Sequence, residues 1–528
     1  MRPDTPRVAF ESGDDIASIV SRVATAEPER TAMISGATRV TYRDLDHRLG
    51  AVAAGLHGLG VARGDRVAVL ATNSIAYAEV FLGTLRATAS IVPLPTLATL
   101  ETLLLILDDS TPRVLFVDAR HRDVGAALAH GRGVALVALD FESDGFTPYS
   151  TFGHAPTDRT TRPEIGADDE FDVIYSSGTT GVPKGIVHDH GARKASYGGS
   201  RARHFGVATV NVVATPFYSN TTCITWLLTT AAGGTNVILG KFSPEAFLEA
   251  VETHRGTHAM LVPVQYDRIL ASERFRSTDL SSLTHLFSTS APLRAGVKRR
   301  ILDELSAELI EIYGLTEGGP VTVLEARQHP GKLASVGVPA PGCDVRVVDE
   351  TGRGVPNGQA GEVIGRSANM TRGYLNRPED TSAMSFRDPA GTLYFRSGDI
   401  GRFDDDGFLY LLDRKKDVII SGGFNVYATD LEAVLATHPE VEEVAVIGVP
   451  SERWGETPLA LIVRKPGTST SAPELRDYVN ARVGKAQRVS HVELRNELPK
   501  NAIGKILKRE LREAYWRQEH PPEPGRTS

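Results

Sequence analysis

The sequence predicts an α/β fold: a large N-terminal part built of doubly wound α/β subdomains plus a β-rich subdomain, then a small α+β C-terminal domain. Three observations predict it. Over the first half, amphipathic helical stretches alternate with short apolar runs, as in successive βαβ units. A glycine-rich segment, YSSGTTGVPKG over Tyr175 to Gly185, follows directly on the mostly apolar run Phe171 to Ile174. From Gly331 to Asp413 the apolar runs shorten and are punctuated by Gly, Pro, Asn and Asp, the punctuation of strands and turns.

Taken in order, Tyr42 to Leu59 places Leu45, Leu49, Val52, Leu56 and Leu59 three and four residues apart, an amphipathic helix ended by Gly60. Arg66 to Ala71 reads as a buried strand, Ile75 to Ala87 as a helix, Ser90 to Leu94 as extended, Leu97 to Asp108 as a helix and Val114 to Val117 as a strand. Pro156 to Gly166 lacks periodicity and reads as an exposed loop. In the second half Val345 to Val348 and Gly361 to Gly365 read as strands. Beyond Arg414 a mixed α/β pattern returns: Val418 to Ser421, a helix over Asp430 to Thr437, strands at Val444 to Val449 and Leu459 to Arg464, and a helix at Ala472 to Arg482. The domain expectation is therefore residues 1–414, with α/β subdomains to about 330 and the β-rich part over about 331–413. A C-terminal domain spans 415–516, and the Pro-, Glu- and Arg-rich residues 517–528 read as a disordered tail.

Composition narrows the function. The 528 residues carry a net charge of −7, with 41% hydrophobic and 23% charged residues, ordinary for a globular chain. Nothing resembles the broad basic footprint of a nucleic-acid binder, so small-molecule partners are expected. Cys223 and Cys343 are far apart and outside any ligand-like spacing, which disfavours a disulfide framework or zinc site and fits a reducing cytoplasm. The N-terminus lacks a signal-peptide apolar region, and no stretch reaches about 18 uninterrupted apolar residues, so no membrane span is expected.

The glycine-rich segment has the chemistry of a polyphosphate cradle. Glycines let backbone N–H groups approach an anion, Ser176, Ser177, Thr179 and Thr180 add hydroxyl donors, and Lys184 adds a compact positive charge. It departs from the Walker pattern, with Pro183 before the lysine and Gly185 after it, so this segment alone also fits a solvated loop between strands. The nearby His188, Asp189 and His190 lack a full metal-ligand set, and His190 is expected to pack or hydrogen-bond.

Four further segments follow the loop: EIYGLTE at Glu311 to Glu317, YFRSGD at Tyr394 to Asp399, DRKKDVIISGGFNV at Asp413 to Val426, and PKNAIGKILKR at Pro499 to Arg509. In this order the five resemble the core motifs of the adenylate-forming superfamily, which contains acyl-CoA synthetases, adenylation domains of peptide synthetases and luciferases. The resemblance covers nearly the whole chain and points to the acyl-CoA synthetase type. It implies an AMP-forming ligase: ATP and a carboxylic acid give an acyl-adenylate and pyrophosphate, and the acyl group then passes to CoA.

By that resemblance, Ser176, Ser177, Gly178, Thr179, Thr180, Gly181 and Lys184 wrap the β- and γ-phosphates. Thr316 contacts the α-phosphate, and Glu317 holds magnesium, an ion for which one carboxylate plus phosphate oxygens and water suffice. Glu311, Ile312, Tyr313 and Gly314 belong to the adenine side of the site, with Tyr313 as the aromatic surface and Ser290, Ala291 and Pro292 as the opposite strip; Tyr313 alone also fits a core aromatic. Asp399 and Arg414 match ribose contacts, and Lys505 matches the principal catalytic lysine carried by a mobile C-terminal domain. Lys416 sits at the implied hinge. Ser421, Gly422 and Gly423 match a narrow acceptor channel, with Trp454 either beside it or in a core. Most other lysines in the Lys500 to Arg509 run, Lys508 included, are expected to be solvated. Phe217, Tyr218, Asn220, Thr222 and Trp226, with Gly337 in Ser335 to Pro339, occupy stretches that resemble acyl-pocket walls and suggest an apolar or aromatic acid.

Some positions depart from the family pattern. Ser219 stands where a histidine is common after Pro216, Phe217 and Tyr218; Gly484, Lys485, Ala486, Gln487 replaces Tyr-Lys-x-Pro; and Ala428 replaces a proline. These leave an amine, a carrier protein, or a non-catalytic nucleotide-binding regulator open as alternatives to transfer onto CoA. A homodimer is left open as the assembly.

Overall fold

The computed structural model describes residues 15–154, 164–176, 182–198, 200–500 and 506–519. The chain groups into two compact units: one made of residues up to Val345 together with Gly365–Phe395, the other of Arg346–Ile364 with the chain from Arg396 onward.

The first unit holds two large sheets. One runs from Val338–Pro339 at an edge through Gly318–Glu325, Glu308–Leu315, His285–Ser288, His258–Leu261, Val210–Val213, Thr235–Ile238 and Thr31–Ser35 to Thr38–Thr41. Its middle strands are parallel, as helical crossovers require. The other runs Gly373–Tyr374, Lys184–Asp189, Glu170–Ser176, Ser90–Pro93, Arg66–Leu70, Val114–Val117, Ala135–Ala138, Thr147–Pro148. The chain is α/β, as its alternating pattern requires.

Local signals account for the first helices. Tyr42–Gly58 starts at Thr41, whose hydroxyl accepts from the Asp44 N–H while the Asp44 carboxylate accepts from the Thr41 N–H. It ends where Gly60 turns left-handed (φ 80°) and the Val61 N–H reaches back to the Leu56 carbonyl, a Schellman closure. Its apolar stripe, Leu45, Leu49, Val52 and Leu56, is buried in a core with Tyr77, Phe81, Phe171, Phe217 and Trp226. Gly83 on the helix Ile75–Arg86 permits that packing, since a Cβ there would lie 2.5 Å from Val52 Cβ. The helix expected from Leu97 begins instead at Leu100, because Thr99 caps it and Leu97 stays outside, 70% exposed.

In the second unit, Leu409–Arg414 lies antiparallel to the Leu393–Phe403 strand from Asp399 onward. Another sheet orders Phe424–Val426, Ile419–Ser421, Gly455–Arg464 and Val441–Ser451, with His491–Arg495 parallel to Gly455–Arg464. It is covered on both faces. Val446, Ala460 and Ile462 pack with Leu431, Leu435, Leu475 and Val479, while Ala445, Ile447, Leu459 and Leu461 pack with Leu498, Leu511 and Tyr515. The helix expected over Asp430 to Thr437 is Ala428–Leu435, shifted two residues back. The tail is corrected at its start: the helix Lys508–Glu519 continues three residues past Trp516, and 520–528 lie outside the described residues. Among the described residues no helix is long and apolar enough to cross a membrane.

Candidate active site

In the first unit the glycine-rich segment joins the two strands of a hairpin, Glu170–Ser176 and Lys184–Asp189. Ser176 pairs with Lys184 at its mouth, and residues 177–181, five of the expected phosphate ligands, lie outside the described residues. Gly185 is needed for close approach: a Cβ there would meet the Tyr175 ring at 2.8 Å, and that ring is pinned by its hydroxyl donating to Asp109 Oδ2 at 2.7 Å.

Lys184 Nζ donates to Asp380 Oδ1 at 2.6 Å and lies 5.2 Å from the Tyr374 ring centroid. Its hydrogen bond holds the Asp380 carboxyl below the ordinary carboxylate range. Tyr374 Oη donates to Glu317 Oε1 at 2.7 Å; burial and then the Glu317 charge push that phenol up, so it stays a donor. One tyrosine thus stands between the loop lysine and the carboxylate expected to hold magnesium. Tyr374 and Asp380 were missed in the sequence, where TRGYLNRPED reads only as turn chemistry within the β-rich stretch.

Thr316 and Glu317 form the turn between the strands Glu308–Leu315 and Gly318–Glu325. Glu317 therefore sits at a strand-to-strand turn rather than in a helix. Gly318 (φ 79°) closes the turn against the chain, where a Cβ would fall 2.4 Å from the Asn369 carbonyl oxygen. The Glu317 carbonyl accepts from the Thr371 N–H at 2.9 Å, and the Thr316 carbonyl from His188 Nε2 at 2.7 Å.

The strand expected to line the adenine side has a buried brace. Glu311 accepts from the Leu293 N–H at 2.7 Å and is ion-paired with Lys298, whose Nζ also donates to the Ser335 carbonyl at 2.9 Å. Both charged groups are 2% exposed at the side chain. The pair fastens the strand carrying Ile312, Tyr313 and Gly314 to the segment after Ser290, Ala291 and Pro292 and to the one before Gly337. Ser290 is left-handed (φ 77°) with its hydroxyl 2.6 Å from Thr221 Oγ1. Gly337 (φ 90°) lies against the neighbouring strand, a Cβ there falling 2.0 Å from the Val323 carbonyl oxygen.

Among the residues expected at the acyl pocket, Phe217 is buried, stacked on Tyr77 (5.2 Å, 23°) and edge-on to Trp226 (4.7 Å). Thr222 is buried, its hydroxyl shared with Thr215 Oγ1, and Asn220 Oδ1 accepts from Arg193 Nη1 at 2.7 Å, while Tyr218 remains partly exposed. Ser219 has its own reason for not being histidine: it caps the helix Asn220–Ala231, its hydroxyl accepting from the Thr221 N–H. His190 packs its ring on Phe171, and no group of residues suited to a metal ion occurs among the described residues.

In the second unit Asp399 and Arg414 face each other across two strands, Arg414 Nε donating to Asp399 Oδ1 at 2.7 Å. Burial lowers the pKa of Lys416, and its carbonyl accepts from Arg512 at 2.7 Å. Ser421, Gly422 and Gly423 occupy a hairpin whose two central glycines are both left-handed (φ 58° and 83°), the conformation a two-residue turn requires. Gly422 donates its N–H to the Trp454 carbonyl, and a Cβ on it would fall 2.8 Å from the indole. Trp454 is 47% exposed, so it is not a core tryptophan. Ala428 keeps an N–H that proline would lack, donated to Asp413 Oδ2 at 2.6 Å. Lys505 lies outside the described residues. Its neighbour Lys508 corrects the expectation of a solvated run: partly buried, it pairs with Glu432 Oε1 at 2.7 Å, and the Glu432 charge raises its pKa against desolvation.

Residues 20–375 match the family described as AMP-binding enzyme, and residues 430–505 match the AMP-binding enzyme C-terminal domain. A feruloyl-CoA synthase from Amycolatopsis sp is 36% identical over 94% of this chain and 98% of its own. Among solved structures, ATP-bound MatB from Rhodopseudomonas palustris is 30% identical with TM-score 0.84, covering 94% of this chain and 99% of that one. The amide bond synthetase McbA from Marinactinospora thermotolerans is 27% identical with TM-score 0.84, covering 95% and 99%. The chain belongs to the AMP-binding enzyme family, the adenylate-forming superfamily, and is of its acyl-CoA synthetase type.

Proposed function

We propose that the chain is an AMP-forming acid–thiol ligase for an aryl or arylalkenyl carboxylic acid. It activates the acid with ATP to an acyl-adenylate, releasing pyrophosphate, and transfers the acyl group to CoA. The observation that carries the first step is the series Lys184, Tyr374, Glu317: a loop cation and a turn carboxylate flank one tyrosine, as needed where a polyphosphate and its counter-ion meet. A carboxylate and a phosphate repel, so donors and cations must offset the charge where they react.

Residues 176–181 with Lys184 are assigned to the β- and γ-phosphates, Thr316 to the α-phosphate, Asp399 and Arg414 to the ribose, and Tyr313 with Ser290, Ala291 and Pro292 to adenine. Lys505 is assigned to the carboxylate and α-phosphate, Lys416 to a hinge, and Ser421, Gly422, Gly423 and Trp454 to the acceptor channel. Glu317 suits magnesium, since Tyr374 orients one of its oxygens and that ion needs few protein ligands. Bound there, magnesium would supply positive charge to offset the charge developing on the departing pyrophosphate. The aryl assignment is supported by the Phe217, Tyr77 and Trp226 rings and by the name of the feruloyl-CoA synthase relative.

The test offers ATP, magnesium and a panel of cinnamic-type, arylacetic and straight-chain acids, with CoA or with amines. Pyrophosphate release that is fastest with an arylalkenyl acid, and thioester formed only with CoA, is expected. Amide formation with CoA left untouched would transfer the chain to the second reading, amide synthesis, which the 27% identity to an amide bond synthetase keeps open.

A further inference from the structure

Asp172, His188 and Arg193 are buried to 0%, 2% and 5% exposure, and none has a task in the reaction as assigned above. Asp172 and His188 face each other across the two strands of the phosphate-loop hairpin. His188 Nδ1 lies 2.7 Å from Asp172 Oδ1; Arg193 Nη2 donates to that same oxygen at 2.9 Å and approaches Oδ2 at 2.6 Å. Arg193 and then His188 hold the Asp172 carboxyl below its ordinary range against the desolvation that would raise it. Burying such a group costs several kcal/mol per ion, and an apolar trio of similar volume would commonly be no less stable.

What the trio supplies is one directed donor. The Thr316 carbonyl can only accept, so His188 Nε2, 2.7 Å away, must carry a proton whatever the state of Nδ1. Asp172 fixes the ring that aims it. The next carbonyl, Glu317, is held by the Thr371 N–H, and the Thr371 hydroxyl in turn donates to the Val187 carbonyl beside His188. Both carbonyls of the Thr316–Glu317 turn are therefore tied to the strand Lys184–Asp189, which begins with the loop lysine.

We infer that Asp172 and His188 are positioning residues that hold the Thr316–Glu317 turn in register with the strand that begins at Lys184. The inference rests on the assignment of Thr316 and Glu317 to the α-phosphate and magnesium. His188 does not touch the reacting atoms. It acts by keeping the turn's side chains where adenylation needs them, and displacement by about 1 Å in such a site can cost about 10²-fold in rate.

The test compares His188→Leu, which keeps bulk without a donor, with His188→Gln, whose amide can donate to the same carbonyl, and uses Glu317→Gln as reference. Pyrophosphate release is measured with MgATP and the acid that is fastest in the panel above, and thioester formation with the corresponding synthetic acyl-adenylate and CoA. His188→Leu should lose about 10²-fold in kcat for adenylation, with the KM for the acid and the thioester step unchanged, and His188→Gln should recover most of that loss. Equal loss in both half-reactions with no recovery by His188→Gln, or full activity of His188→Leu, overturns the inference. If His188→Leu fails to fold, His188→Gln decides alone: a folded His188→Gln that loses both steps equally sinks it, and one that keeps adenylation sustains it. Should Glu317→Gln adenylate normally, the underlying assignment of the turn falls instead.

Discussion

Replacing Lys298 by methionine isolates the buried brace under the adenine-side strand. The change keeps volume but leaves the Glu311 carboxylate with the Leu293 N–H and no cation, in a site 2% exposed. Burial already pushes Glu311 above its usual value of 4.5, opposed by Lys298, and the variant removes that opposition. The carboxyl would then take up a proton rather than stay charged. At pH 7 neutralising it spans two and a half pH units at about 1.36 kcal/mol each, about 3.4 kcal/mol, which agrees with the roughly 3–5 kcal/mol cost of breaking a buried pair. The sign follows: a folded-state pKa above the unfolded one makes the deficit largest at high pH and shrinks it as pH falls toward 4.5. At pH 5 only about 0.7 kcal/mol remains on the same scale. Thermal and denaturant melts of the parent, Lys298→Met and Lys298→Met/Glu311→Met at pH 5 and pH 7 would measure it. The double variant should recover most of the loss, because an apolar pair of similar volume is commonly neutral or better. A deficit equal at both pH values, or a double variant no better than the single, would refute this account of the pair.

Three further outcomes are expected. Lys505→Ala should lose about 10²- to 10³-fold in adenylation while thioester formation from supplied acyl-adenylate persists; equal loss in both steps would remove Lys505 from its role. Tyr374→Phe removes a hydrogen bond to a charged group, worth about 1.5–3 kcal/mol, so kcat/KM for MgATP should fall roughly tenfold or more, read from pyrophosphate release with the acyl-transfer step as control. Asp380→Asn frees Lys184 from its carboxylate partner and should tighten inhibition by added pyrophosphate, with kcat lowered where pyrophosphate release limits turnover; unchanged inhibition would mean that Asp380 does not compete for the lysine.

The parts of this site that were legible in the sequence are those written in contiguous residues. Helix ends such as the one at Gly60 can be read locally, since capping and positive φ depend on neighbours in the chain. Leu97 was placed inside a helix because its apolar spacing fits, yet Thr99 two residues later supplies the cap that begins the helix after it. The pairs that hold the site rigid were not legible. Asp172 and His188 meet through a hairpin register that contains an irregularity between Glu170 and Asp172, and Lys298 meets Glu311 by tertiary packing of a helix on a strand. Lys508 reads as one more solvated lysine until Glu432, 76 positions earlier, is found beside it. Spacing along the chain carries no signal for such pairs.

The hairpin also explains why the loop departs from the Walker pattern. In a P-loop the glycine turn opens a helix, whose N-terminal N–H groups and dipole add to the attraction for phosphate. Here the chain enters a second strand at Lys184, so the turn ends in a ladder already committed to pairing with Glu170–Ser176 and lacks a helix dipole. Gly185 follows the lysine because the Tyr175 ring leaves no room for the Ser or Thr of the Walker motif. On the proposed assignment, attraction for polyphosphate falls to groups near the hairpin mouth, Lys184 among them, whose charge is shared with Asp380. The Asp380 side chain is 34% exposed, so the pair is worth only about 0.2–1 kcal/mol. A phosphate can displace the carboxylate at little cost, and the carboxylate can take the lysine back. That balance suits the proposed role of Lys184, holding the leaving pyrophosphate during attack at the α-phosphate and then letting it go.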